Sequence, residues 1–348
     1  MKNEEVSFYS EGAKVKGILR LPDERSECEP ARAKPSGDER SEREPARAKP
    51  SGDERSECEP ARAKPSRDQP GSGRPGIVQG PGWLGLMDSK LYERYHRSFT
   101  EAGYAVLVFD YRGFGDSEGE KGLILPQLQA EDIRNAITYL ETRPEVDSHR
   151  IGLFGSGGTG GANPIYVAAV DRRVKCVVSN YAFATGREWL RSMRREYEWL
   201  EFLQRLEEDR KRRVLEGRGE MVSAREELMV ATPERKQTTV KADVDYRVPE
   251  RVSLRSAEGL MEFNPEDYVS RISPRAILFI ATENDAVTPE DQTFRLYEKA
   301  GQPKKLILQK ETSHYKAYGD YFDQVTPQII EWYDRYLKYE RVEVWEQA

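Results

Sequence analysis

Arg150-Ile-Gly-Leu-Phe-Gly155-Ser-Gly-Gly-Thr-Gly-Gly161 joins a continuous apolar run to a helical pattern through seven residues, 155–161, of which five are glycine. An apolar run of this length, bounded by glycines, reads as a strand buried on both faces. The glycines mark a turn tight enough to bring backbone against backbone. Working outward, the same rhythm repeats past residue 75. Strands are expected at 76–80, 105–110, 150–155, 174–179, 276–281 and 305–309. Helical patterns fall at about 88–102, 127–142, 160–170, 291–300 and 320–338. Strands alternating with helices predict an α/β fold, a mostly parallel central sheet with crossover helices. Val6–Gly12 and Val15–Leu21 form an N-terminal β-hairpin before it.

Two segments interrupt the rhythm. Residues 23–67 are three copies of a 15-residue unit that begins Asp23-Glu-Arg-Ser-Glu-Cys28-Glu-Pro. They hold 12 acids, 11 bases and nothing apolar larger than alanine or cysteine. Such a unit cannot offset the entropy of ordering its backbone, so it is expected to be a disordered surface insertion. The second interruption lies between 179 and 276. Residues 187–215 are strongly helical, with Leu190, Met193, Tyr197, Leu200 and Leu203 at spacings of three or four, and the pattern stops near Gly217 and Gly219. This stripe packs the helix onto the main body, and the helix is also expected to cap a site. The expected organisation is therefore 1–22 hairpin, 23–67 repeat insertion, 68–183 first part of the core, 184–272 helical cap and 273–348 second part of the core.

Composition narrows the function. The chain has 348 residues, a net charge of −6 and 37% hydrophobic residues. Setting the repeats aside leaves 303 residues, about 40% hydrophobic, enough for one sizeable core. A mildly acidic balance gives no basic patch for a nucleic acid. No apolar run spans a bilayer and the N-terminus lacks an apolar leader, so no membrane association and a cytoplasmic location are expected. Cys28 and Cys58 stand at equivalent repeat positions where the middle copy has Arg43, which argues against a bridge, and Cys176 reads as a small core residue. Three scattered histidines and no cysteine cluster predict no metal. Gly155, Gly157 and Gly160 formally match a dinucleotide fingerprint, but positions 175 and 180 are Lys and Asn where an acid is required, so no cofactor is expected.

His314 lies in Glu311-Thr-Ser-His-Tyr315, after the last strand, and Asp285 follows the strand 276–281. Both emerge at the carboxyl ends of strands, where open α/β sheets build their sites. A carboxylate accepting from one imidazole nitrogen leaves the other free as a base. His96 sits inside a helical pattern, as a surface or packing residue, and His149 reads as an exposed strand end.

With Gly80-Pro-Gly-Trp-Leu-Gly85, Asp110-Tyr-Arg-Gly-Phe-Gly-Asp-Ser-Glu-Gly119, the glycine-rich turn and the Asp285/His314 pair all in order, the chain resembles the α/β-hydrolases. It is most similar to their dienelactone-hydrolase and X-prolyl-peptidase-like esterase branch. The resemblance implies a hydrolase with a His314–Asp285 pair and a small-molecule carbonyl substrate, an ester, an amide or a related compound. It also implies an oxyanion hole from the backbone N–H groups of Trp83 and Gly158, and a nucleophile on the elbow formed by Gly155, Gly157, Gly160 and Gly161. There the sequence departs from the family pattern small-x-Ser-x-small. Counted from the strand the nucleophile is Gly157; counted back from Gly160-Gly161 it is Gly158. Ser156 and Thr159 are the nearest hydroxyls, so a displaced hydroxyl is one expectation. A base and an oxyanion hole without any nucleophile, as in a lyase, a C–C bond hydrolase or a tautomerase, is the second. A non-catalytic binding protein on a hydrolase scaffold is the third. Arg112 and Asp116 are expected to be structural links. Oligomeric state, a homo-oligomer included, stays open.

Overall fold

β1 (Lys2–Ser10) and β2 (Ala13–Leu21) form the expected hairpin, closed by Glu11 and Gly12, both at positive φ as a two-residue turn requires. The computed structural model describes residues 1–23, 73–230, 232 and 245–338. The repeats beyond Asp23, with Cys28, Arg43 and Cys58, lie outside the described residues. Then follow β3 (Arg74–Gln79), α1 (Lys90–Glu101), β4 (Ala105–Phe109), α2 (Pro126–Glu141), β5 (Val146–Gly158), α3 (Thr159–Val170) and β6 (Val174–Ala182). The inserted region holds α4 (Gly186–Ser192), α5 (Glu196–Glu216), β7 (Met221–Ser223), a single π-helical turn (Ala224–Leu228), β8 (Arg251–Ser253) and α6 (Arg255–Met261). The core resumes with β9 (Ala276–Thr282), α7 (Glu290–Lys299), β10 (Lys304–Gln309), α8 (His314–Asp320) and α9 (Phe322–Tyr333).

Among the described residues one sheet of eight strands runs in the order β1-β2-β4-β3-β5-β6-β9-β10. The pairs β1/β2 and β2/β4 are antiparallel, and every other pair is parallel. Strand alternation divides the core in two. Leu107, Phe109, Leu153, Val177 and Phe279 face α2, α3 and the inserted helices. Val106, Val108, Phe154, Val178 and Leu278 face Tyr95 and Phe99 of α1 and Ile329 and Trp332 of α9. Both faces are covered, which is why the strands read as unbroken apolar runs. From β3 the chain passes to β4 on one side and then returns to β5 on the other. The loops after β3 and β5 therefore meet at a topological switch point, the place where open sheets admit ligands.

The inserted segment differs from its sequence expectation. The single helix over 187–215 is two, broken at Met193–Arg195. The break resets the helical phase: Tyr197 and Leu200 are more than half exposed, while Trp199, Phe202 and Leu206 are buried. The charged residues form more than a solvated face. Arg205 bonds Glu220 and Glu227, and Arg213 bonds Asp209 and pairs with Glu258, so α5 is strapped to the segment that follows it. The final helix expected over 320–338 begins earlier, as α8 and α9, followed by a turn at Asp334–Lys338. No helix of the described residues is long and apolar enough to cross a membrane.

Candidate active site

β5 pairs with β6 as far as Gly158 opposite Ala182, and α3 starts at the next residue, Thr159. The whole change of direction falls on Gly157, at φ +82°, and on Gly158, at φ 54° and ψ −110°. Those dihedrals lie where side chains are strained, as the nucleophile of a strand-to-helix elbow is. Gly158 therefore stands at the nucleophile position, with Ser156 and Gly160 as the small residues two places either side. Gly160 must be small: a Cβ there would lie 2.6 Å from the Cα of Gly82. The same approach lays the loop after β3 across the elbow, and the Trp83 N–H reaches the Gly157 carbonyl at a long 3.4 Å.

This register shifts one sequence expectation. The N–H that follows the elbow residue belongs to Thr159, not to Gly158, so the expected second oxyanion donor moves by one residue. Neither displaced hydroxyl lines the cavity beside the elbow. Ser156 is fully buried, accepting from Asn180 Nδ2 at 3.1 Å and sharing a 2.7 Å bond with the Tyr318 hydroxyl. Thr159 is fully buried too, and its hydroxyl has no hydrogen-bond partner among the described residues.

Asp285 and His314 are brought together. One Asp285 carboxylate oxygen accepts from the N–H groups of Val287 (2.7 Å) and Thr288 (3.0 Å). The other lies 2.7 Å from His314 Nδ1. A carboxylate only accepts, so Nδ1 carries the proton and the neutral ring keeps its lone pair on Nε2. His314 opens helix α8 rather than sitting in a loop. Its ring packs beside those of Tyr181 and Tyr315, at centroid distances of 4.8 and 4.9 Å. His96 is a buried packing residue in contact with Gln79, and His149 is exposed.

The cavity that His314 faces holds about 60 Å³ and is walled by Gly157, Gly158, Trp83, Trp189, Tyr92 and Tyr318, with Arg225 among the residues around them. Burial pushes the Tyr92 phenol up to about 12 and the Tyr318 phenol well above its usual range, so both stay protonated at neutral pH. Trp189 is fixed by its indole N–H bond to the Val287 carbonyl (2.8 Å) and by stacking on Phe183. It thus ties the inserted helix α4 to the Asp285 loop. A larger groove of about 710 Å³ lies between α1 and α9, but no residue of the Asp285–His314 pair or the elbow lines it. No group of three or more His, Cys, Asp or Glu side chains among the described residues is placed to hold a metal.

Tyr92, Tyr318 and Arg225 were not singled out from the sequence. Tyr318 was within reach: four residues after His314 on one helix, it shares its face. Tyr92 and Arg225 carry no comparable mark, because their places depend on how α1 and the inserted segment pack. Arg112 and Asp116 do act as links. Arg112 bonds Asp132 of α2 and Ser10 of β1, and Asp116 pairs with Arg247.

Comparison with known proteins bears on the family and the fold. The family model described as X-Pro dipeptidyl-peptidase (S15 family) matches residues 39–316. An uncharacterized 31.7 kDa protein in the traX-finO intergenic region of Escherichia coli is 31% identical over 268 residues, 76% of this chain and 91% of that protein. The quorum-quenching protein AidA of Acinetobacter baumannii (strain MDR-ZJ06) is 28% identical over 268 residues, 75% of this chain and 86% of AidA. Among solved structures, the alpha/beta hydrolase GrgF from Penicillium sp. sh18 superposes with a TM-score of 0.68 at 20% identity, covering 97% of this chain and all of that one. A family match over most of the chain, with a matching fold, leads to one assignment: the chain belongs to the X-Pro dipeptidyl-peptidase (S15) family and is a hydrolase of the α/β-hydrolase superfamily.

Proposed function

We propose that this hydrolase cleaves a small ester, amide or related carbonyl compound by direct attack of water, with His314 as the base and no covalent acyl-enzyme. One observation carries the reading: a glycine occupies the strained elbow position while the Asp285–His314 pair beside it is intact. A cavity of 60 Å³ accommodates a water, which needs about 10–15 Å³ of such space, next to the imidazole. His314 Nε2 takes a proton from that water as its oxygen bonds to the carbonyl carbon. The resulting imidazolium, held by Asp285, then returns the proton to the leaving group as its bond to carbon breaks. The developing oxyanion is received by the N–H groups of Trp83 and Thr159, each such donor contributing about 3 kcal/mol in a preorganised site. The long Trp83 bond to Gly157 is weak enough to be exchanged for it.

The buried, unpartnered Thr159 hydroxyl supports a second reading, in which it serves as a displaced nucleophile. One set of variants separates the two, assayed on p-nitrophenyl esters and thioesters with a fluorophosphonate probe alongside. Direct water attack predicts that His314→Ala abolishes turnover, that Ser156→Ala and Thr159→Val retain it, and that the probe leaves the folded protein unlabelled. Labelling of Thr159, with turnover lost in Thr159→Val, would establish the displaced hydroxyl instead.

A further inference from the structure

We propose that the outer face of helix α5 is a docking surface for a second copy of this chain, the two helices lying antiparallel about a two-fold axis. No residue of α5 lines the His314 cavity, so the inference stands apart from the proposed reaction. With 21 residues, α5 is about 31 Å long. Its inner face is packed, through Trp199, Phe202, Leu206 and Asp209. Its outer face leaves large apolar side chains in the open at both ends. Tyr197 and Leu200 are 55% and 58% exposed near the start, and Val214 and Leu215 are 78% and 82% exposed near the end.

The exposed residues follow the seven-residue repeat of a helix-pairing seam. Tyr197, Gln204 and Lys211 form one row, and Leu200, Glu207 and Val214 form the next. The charges on this face are also ordered, with exposed Glu201 in the first half and exposed Lys211 in the second. Among the described residues neither makes an ion pair, whereas Arg205 and Arg212 of the same helix are bridged to Glu220 and Arg213 to Asp209. A parallel copy would set Glu201 against Glu201 and Lys211 against Lys211, like charge on like. An antiparallel copy centred between residues 205 and 206 does the opposite. It lays Tyr197 on Val214 and Leu215 of the copy and brings Lys211 beside Leu200 and Glu201. The lysine stem then covers the leucine while its ammonium meets the carboxylate. Because the interface is isologous, each of these contacts is made twice.

Sedimentation equilibrium of the full chain tests this. One helix pair is a small interface, so a reversible dimer is expected as the concentration rises from about 1 to 200 µM. Glu201→Lys and Lys211→Glu each set like charges opposite one another at both symmetric contacts, and each should raise the Kd about tenfold. Mixing the two variants sets every reversed charge against an opposite one. Association should then return to the wild-type level as a heterodimer, a result that misfolding does not produce. Val214→Asp alters a side chain that is already open to water, so it should keep the urea unfolding transition and abolish the dimer. A wild type that stays monomeric at the highest concentration overturns the proposal. So do variants that dimerise as the wild type does, or a mixture that fails to recover.

Discussion

Restoring a serine at the elbow tests the reading of Gly158 most directly. Two costs of Gly158→Ser follow from the structure. The backbone at φ 54° and ψ −110° is a strained region for any side chain, at about 1–3 kcal/mol. A Cβ there would also stand 3.1 Å from both Cζ2 and Cη2 of Trp189, tighter than ordinary contact. Trp189 cannot easily retreat, because it is fully buried, bonded to Val287 and stacked on Phe183 at a centroid distance of 4.8 Å. Overpacking of this kind costs about 1–3 kcal/mol. Gly158→Ser should therefore lose about 2–6 kcal/mol in urea unfolding. Trp189→Phe removes the two ring carbons concerned. In a double-mutant cycle the pair should be less destabilised than the sum of the singles by about 1–2 kcal/mol, while the backbone cost remains. The same double variant should gain fluorophosphonate labelling at residue 158, and lose it again when His314 is replaced by Ala. A Gly158→Ser protein within about 0.5 kcal/mol of wild type, with no coupling to Trp189, would refute the assignment of the elbow.

Three further outcomes are expected. His96 is wholly buried, and that burial holds its imidazole down to about 3, so the folded state refuses a proton that the unfolded chain accepts from its ordinary value of 6.5 downward. Stability is then full above pH 6.5 and lost on acidification, by about 3 kcal/mol from this group by pH 4.5; His96→Gln should flatten that part of the pH profile, and an unchanged slope in the variant contradicts the burial argument. Gly160→Ala drives a Cβ to 2.6 Å from the Cα of Gly82 and should cost about 3 kcal/mol in thermal or urea unfolding; a neutral result would mean that the two loops do not approach so closely. Asp285→Asn should leave the fold intact and slow hydrolysis by about a hundredfold or more, because an amide can present its N–H to Nδ1 and favour the other tautomer; activity retained at wild-type level in this variant speaks against His314 as the base.

The fold was legible because each signal was local and repeated. Ala105–Phe109 and Ala276–Thr282 are buried at every position, so their unbroken apolar runs announced a covered parallel sheet before any pairing was known. The inserted segment was less legible for a physical reason. Its helices carry one apolar stripe each, and a break of three residues between them changes the phase by most of a turn. A pattern read across the break assigned Tyr197 and Leu200 to the packed face, whereas Trp199 and Phe202 occupy it.

The site divides along the same line. Asp285 and His314 could be found because each follows a strand, and strand ends converge wherever the strands are ordered. The elbow register could not be found that way. Five glycines in seven residues offer no side chain by which to count, and both Gly157 and Gly158 take positive φ. The choice between them rests on where β5 stops, and that is set by its partner: β6 stays paired through Ala182, which carries the strand on to Gly158 and delays the turn by one residue. That single residue decides the chemistry. In the proposed mechanism it makes the Thr159 N–H rather than that of Gly158 the second oxyanion donor, and it leaves Ser156 beneath the elbow, bonded to Asn180 and Tyr318. With both hydroxyls off the cavity wall, the proposed reaction falls to the His314 imidazole and a water.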